Sequence, residues 1–166
     1  MGKLVYHFGA MKAGKSAKLL QMAYQIDGKK SMGIYTTQDS CNHIESRLGI
    51  SRSCKHIDEL FLKPHNKYVK FIFIDECQWL KAHHIKKLRE IADRNETEIH
   101  CFGLRSDFKG DTFPASNLLF LLADEFEHLP SYCDHCDCAA ILHNKQQGEG
   151  KEAFESVCYE HFKGEI

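Results

Sequence analysis

Short apolar runs alternate with amphipathic stretches along the first three-quarters of the chain. Residues 4–8 are apolar and aromatic and stop at Gly9, which predicts a buried strand. Residues 16–26 carry Leu19, Leu20, Ala23 and Ile26 at helical spacing, and Gly28 closes that helix. Residues 33–37 read as a second strand. Residues 69–74 form a dense apolar run leading into Asp75 and Glu76, again a buried strand. Residues 80–92 place Ile85, Leu88, Ile91 and Ala92 on one face of an amphipathic helix. A strand over 99–104 and a helix over 115–123 follow. Residues 38–55, by contrast, are polar and aperiodic, and are expected to form a mobile loop.

Strands alternating with helices predict an α/β fold, a parallel sheet with helices on both faces. In such sheets ligands sit at the carboxyl ends of strands. Residues 9–16, 75–78 and 104–108 all follow strand ends, so they are expected to converge on one crevice. From about Tyr132 the pattern changes to Cys-rich hairpin residues, then Gly and charge, then a short C-terminal helix. The expected division is an α/β domain over 1–131 and a small metal-binding module over 132–166.

Composition sharpens this reading in two places. With 166 residues and 43% hydrophobic content the chain buries an adequate core without disulfides, so eight cysteines need another explanation. A net charge of -1 gives no general attraction for nucleic acid or anionic membranes, so a bound polyanion needs a local site. No signal peptide and no bilayer-length apolar run is evident. Tyr6 stands where an N-myristoylation motif has Ser or Thr. A reducing, cytosolic location is expected, and there clustered cysteines read as metal ligands or reactive thiols.

The local site is Gly9-Ala10-Met11-Lys12-Ala13-Gly14-Lys15-Ser16, which matches the phosphate-loop pattern G-x-x-x-x-G-K-[ST] at every fixed position. Glycines let the backbone curl so that its N–H groups point at phosphate oxygens, and the next helix adds its positive N-terminus. Lys15 neutralises the β- and γ-phosphates, and Ser16 offers a hydroxyl to Mg²⁺. A random chain of this length carries the pattern about once in two hundred. Downstream, the strand ending in Asp75 has the form of the Mg²⁺-coordinating partner strand. A terminal acid alone is more often a helix cap, so this assignment draws its weight from the phosphate loop. Glu76, directly after it, is placed to take a proton from an attacking hydroxyl.

In the last third, Cys133-x-x-Cys136 and Cys158-x-x-His161 supply two spaced ligand pairs, the closed four-donor set of a structural Zn²⁺. Cys138, His135 and His143 compete for those positions, but none completes a second spaced pair as well.

These motifs together resemble the type II thymidine kinases, the zinc-containing phosphate-loop group. The match runs through the phosphate loop, Ile44-Glu45-Ser46-Arg47-Leu48-Gly49, and Asp75-Glu76-Cys77-Gln78-Trp79. It continues through Gly103-Leu104-Arg105-Ser106-Asp107-Phe108-Lys109-Gly110-Asp111-Thr112-Phe113 and both zinc pairs, in family order along nearly the whole chain. The resemblance implies an ATP-dependent kinase making dTMP from thymidine, with Glu76 as the base for the 5′-hydroxyl. It implies ATP contacts from Gly9–Ser16 and from Asp75, Glu76, Cys77 and Gln78, with Mg²⁺ at Ser16 and Asp75. Met11, Trp79, Leu104, Phe108, Phe113 and Phe154 would face the nucleoside, although apolar residues are core by default. Residues 145–157 would form a lasso over the base, anchored by a zinc-ribbon-like module. Family membership further implies a cytosolic homotetramer inhibited by dTTP, with no membrane and no nucleic-acid partner.

Three departures stand out. The lasso is short and lacks the family's Gly-Gly, Phe154 replaces a Tyr, and Asp39-Ser40-Cys41 lacks the arginine of the family's Asp-x-Arg. They support, as the alternative, a nucleotide-binding protein of the same fold with lost or altered catalysis. A phosphate-loop ATPase with a nucleic-acid-binding zinc knuckle is disfavoured by the neutral charge.

Overall fold

A computed structural model describes residues 2–39, 42–62, 68–146 and 153–164. The chain runs β1 (Lys3–Phe8), α1 (Lys15–Ile26), β2 (Met32–Thr36), β3 (His43–Glu45), β4 (Ser51–Ser53), β5 (Lys55–His56) and α2 (Asp58–Leu62). It continues through β6 (Phe71–Asp75), α3 (Ala82–Asn95), β7 (Glu98–Gly103), α4 (Pro114–Leu122), β8 (Glu125–His128), β9 (Leu142–Lys145) and β10 (Phe154–Val157). Six strands form one sheet in the order β5-β2-β6-β7-β1-β8, every pairing parallel. The expected parallel α/β sheet is therefore present.

The two-residue side-chain period of a strand sorts the apolar residues onto two faces. Leu4, Tyr6, Ile72, Ile74, Ile99 and Cys101 meet Ile85, Leu88 and Ile91 of α3 and Leu119 of α4 on one side. Phe73 and Phe102 meet Leu19, Leu20 and Ala23 of α1 on the other. Each fully buried Leu or Ile contributes roughly 1.5–3 kcal/mol, so these contacts fix α1 and the loop before it to the sheet. The α1 face also buries a polar chain. His7 links Glu127 at 2.6 Å to His100 at 2.8 Å, and His100 reaches Glu98 at 3.0 Å. Burial pulls both imidazoles below their ordinary values, His100 to about 3.

Two expectations need correction. The stretch 38–55 is not a structureless loop: β3 and β4 pair antiparallel within it, and β5 joins the main sheet beside β2. Ile44 packs under α1, and Arg52 reaches Asp27 at 2.9 Å, so the hairpin is fastened to that helix at two points. The expected C-terminal helix is only a 3₁₀ turn, Tyr159–His161. A turn of that pitch lets Cys158 and His161 face one point, which a helix running on from there would not need. Edge strand β8, parallel to β1, was not anticipated. Ser40, Cys41 and the middle of the proposed lasso, 147–152, lie outside the described residues.

Candidate active site

Strand β1 delivers the chain into the phosphate loop, and glycines make the curl possible. A Cβ on Gly9 would stand 2.4 Å from the Leu129 carbonyl oxygen, so no side chain fits there. Gly14 caps α1 in the left-handed region at φ 75°, and Lys12 shares that region at φ 64°. Lys15 opens α1 and folds back, its Nζ donating to the Ala10 carbonyl at 2.8 Å and the Gly9 carbonyl at 3.3 Å. Burial pulls its ammonium below the ordinary value, against the opposing pull of Glu76 and then Asp75.

Ser16 and Asp75 meet across α1 and β6, with Ser16 Oγ donating to Asp75 Oδ2 at 2.9 Å. Asp75 is buried, and its carboxyl is pushed up to about 6. Burial is the largest cause and the Glu76 charge the next; the Ser16 hydrogen bond and Lys15 pull the other way. Glu76 turns the chain with φ 56° and ψ 37°, a left-handed conformation that costs a non-glycine residue about 1 kcal/mol or more. Its carboxylate accepts from Gln78 Nε2 at 2.5 Å, and its carbonyl accepts from Thr37 Oγ1 at 2.8 Å. The other end of the Gln78 amide accepts the Leu104 N–H at 3.1 Å. Gly103 makes room for this bridge, since a Cβ there would lie 2.7 Å from Gln78 Oε1. The Leu104 carbonyl is fixed in turn by Ser116 Oγ at 2.6 Å and Tyr6 Oη at 3.0 Å.

These groups surround a cavity of about 350 Å³. Met11, Lys12, Gly14, Lys15 and Ser16 line it together with Glu76 and Leu104. The three strand ends expected to share a crevice do share one. Gly9 and Ala10 are buried behind the loop, and Cys77 packs its thiol into the core beside Cys101. Gln78 reaches the site through Glu76. Of the six residues expected to face a nucleoside, Met11 and Leu104 line the cavity. Trp79, 62% exposed, instead stands edge-on to Phe113 with ring centroids 5.2 Å apart. Phe108 and Phe154 form another pair at 6.1 Å.

Glu45, the last residue of β3, and Ser46, Arg47 and Leu48 on the turn after it also line the cavity. Motif reading marked this segment as family-like without assigning it a place. Ser46 is buried with its hydroxyl unpartnered among the described residues, and the Arg47 charge bears on Lys15. Lys12, a second cation on the cavity, is held by Asp134 at 2.6 Å.

The metal-ligand reading is met by one cluster. Donor atoms of Cys133, Cys136, Cys158 and His161 all lie within 4.8 Å of one another. Cys136 Sγ is 3.7 Å from Cys158 Sγ, and His161 Nδ1 is 3.7 Å from Cys133 Sγ and from Cys136 Sγ. A tetrahedral ion with ligand bonds of about 2.3 Å needs donor separations of about 3.8 Å, so the cluster fits one without rearrangement. The competitors are not members of this set: the exposed Cys138 lies beside Cys136, the His135 ring pairs with Glu155 at 3.1 Å, and His143 meets the phosphate loop.

Fold and site together define a phosphate-loop nucleotide-binding protein in which a carboxylate opens on the phosphate cavity, the arrangement of a phosphotransferase. The family model for thymidine kinase matches residues 2–162. Among relatives, a thymidine kinase from Lactiplantibacillus plantarum is 32% identical over 184 residues, covering 98% of this chain and 96% of that one. One from Agrobacterium fabrum is 33% identical over 169 residues, covering 95% and 87%. Another, from Shewanella oneidensis, is 30% identical, covering 98% and 97%. This chain belongs to the thymidine kinase family.

Proposed function

We propose that the protein transfers the γ-phosphoryl group of ATP to the 5′-hydroxyl of thymidine, giving dTMP and ADP. The carrying observation is that Glu76 lines the same cavity as Lys15 and Ser16, whose hydroxyl donates to the Asp75 carboxylate behind it. Loop N–H groups and Lys15 would hold the β- and γ-phosphates. Ser16 and Asp75 would hold Mg²⁺, which neutralises charge on the transferring group. Glu76, aimed by Gln78, would accept the proton of the 5′-hydroxyl as its oxygen attacks phosphorus and ADP leaves. Met11 and Leu104 would bound the nucleoside. Trp79, Phe108, Phe113 and Phe154 would join them only after a rearrangement of their present pairs.

On this reading the Cys₃His cluster holds a structural Zn²⁺, and residues 132–166 act as a module set against the 1–131 nucleotide-binding domain. A homotetramer, inhibition by dTTP and a cytoplasmic location complete the proposal. No helix among the described residues is long and apolar enough to cross a membrane.

The test supplies ATP and Mg²⁺ with thymidine, deoxycytidine, deoxyguanosine or deoxyuridine in turn. Formation of a 5′-monophosphate from thymidine is the expected result. Tight ATP binding with no product from any nucleoside would favour a protein that has lost its catalysis.

The Asp75 environment adds a pH prediction. Mg²⁺ requires the carboxylate, and the carboxyl of the free protein takes up its proton as pH falls through about 6. Affinity for MgATP should therefore weaken below about pH 6 and level off above it, with a proton released on binding in the acidic range. Calorimetry in buffers of different ionisation enthalpy measures that proton. Asp75→Asn should bind MgATP more weakly throughout and release no such proton; an unchanged proton release would assign the effect to another group.

A further inference from the structure

The backbone of Met11 makes no use of its own loop. Its N–H donates to His143 Nε2 at 2.8 Å, and its carbonyl accepts from Ser156 Oγ at 2.8 Å and Ser131 Oγ at 3.1 Å. The three partners come from different places: Ser131 follows β8, His143 lies on β9 and Ser156 on β10. In the hairpin His143 and Ser156 are directly opposite one another, so a single facing pair holds both the N–H and the carbonyl of Met11, fixing the two peptide groups that flank its Cα. All three are buried, Ser156 completely and His143 to 3% exposure. Beside this contact, Lys12 Nζ bonds both Asp134 carboxylate oxygens at 2.6 and 2.7 Å, and the same carboxylate accepts the Ser156 N–H at 2.9 Å. The apex of the phosphate loop is thus bound to the C-terminal third of the chain by five hydrogen bonds, two of them to the β9–β10 hairpin itself.

We propose that His143, Ser131 and Ser156 are positioning residues for phosphoryl transfer, clamping the backbone of Met11 so that the loop is preformed for a triphosphate. The physical reason lies in the direction of its N–H. In a phosphate loop, successive N–H groups point at the anion. The Met11 N–H instead points at an imidazole lone pair, so it serves as the fixed end from which the next turn curls. The left-handed residues Lys12 and Gly14 follow at once, and such conformations persist only where their surroundings over-determine them. A loop ordered beforehand spares the nucleotide the entropy of ordering it.

The imidazole must be neutral to accept at Nε2, with its proton on Nδ1. Burial, and then the nearby Lys15 charge, hold it so by pulling its pKa down to about 4. The residue was set aside in sequence as an incidental competitor for zinc. Its ring is instead spent on a residue 132 positions away.

The inference rests on reading residues 9–16 as the nucleotide site, and two measurements separate the fates of the two ideas. The first needs no nucleotide: amide hydrogen exchange at Met11 in the full-length protein. His143→Ala should speed that exchange at least about tenfold, because the donor loses its acceptor. His143→Gln places an amide oxygen where Nε2 stood and should restore protection. The second measurement is steady-state kinetics. His143→Ala should raise the KM for MgATP about tenfold and leave kcat within about threefold, since Glu76 and Gln78 are untouched. His143→Gln should recover most of that KM, which a mere loss of packing would not allow. Ser131→Ala with Ser156→Ala should raise the same KM without a change at His143. Met11 exchange and KM values unaltered in all these variants would overturn the clamp while leaving the nucleotide site standing. A wild-type protein that fails to bind MgATP would overturn the nucleotide site, and the clamp's catalytic role with it.

Discussion

Glu76→Gln should reduce phosphoryl transfer to thymidine about 10²–10⁴-fold in kcat, the range expected for losing a general base. MgATP affinity should change by less than about threefold. The substitution is chosen because it preserves shape. A Gln side chain still accepts from the Gln78 amide, which holds Glu76 at 2.5 Å, and the strained turn at φ 56° is a backbone feature that the new side chain inherits. What disappears is the capacity to take a proton at that oxygen. A non-glycine residue in the left-handed region, next to a buried Asp and facing a cavity shared with the phosphate-loop lysine, marks a place where backbone strain serves geometry. Rapid-quench measurement of dTMP in a single turnover, beside calorimetric titration with ATP, separates chemistry from binding. Full single-turnover rates in the variant would remove Glu76 from the mechanism, and a parallel collapse of ATP affinity would make it a structural support.

How much of this was legible beforehand depended on whether the signal was local. The strand, loop and helix around residues 9–16 carry their own signature, because the apolar run, the two glycines and the amphipathic helix are contiguous. The same holds for Asp75 and Glu76, which follow a run buried on both faces. The hairpin of β3 and β4 escaped notice because its strands are three residues each, too short to show a period, and only Ile44 in them is buried. Strand β8 escaped because it is an edge: Glu125, Phe126 and His128 are exposed, so no apolar pattern marks it. The position of Glu45–Leu48 on the cavity beside residues 11–16 follows from that hairpin and was invisible with it. The four donors of the metal cluster were legible from spacing, since each pair closes within a few residues. The role of His143 was not, because a hydrogen bond across 132 residues leaves no local pattern. The aromatic residues show where motif order stops being informative: it groups Trp79, Phe108, Phe113 and Phe154 with Met11, but says nothing of the two ring pairs into which they pack.

Loss of the metal should have the second large effect. Among the described residues the C-terminal module has a buried hydrophobic cluster of Cys133, Leu142, Val157 and Cys158, so two of its four members are themselves proposed ligands. A core that small does not hold a segment of this size, and below about 40 residues a metal or disulfide usually supplies the difference. Freshly purified protein should contain one zinc per chain. Cys136→Ala, which leaves a half-buried thiol position empty without touching the clamp, should lose that zinc and shed protection from hydrogen exchange throughout β9 and β10. The hairpin also grips the Met11 backbone, and its Ser156 N–H braces the Asp134 carboxylate that holds Lys12, so the KM for MgATP should rise together with zinc loss. The main sheet, with its own two cores, should keep most of its protection. Metal analysis, residue-resolved exchange and kinetics on the same preparation give the three readouts. Zinc at unit stoichiometry in Cys136→Ala would remove that thiol from the ligand set. A zinc-free variant with native exchange in β9 and β10 would show that the hairpin stands without the ion.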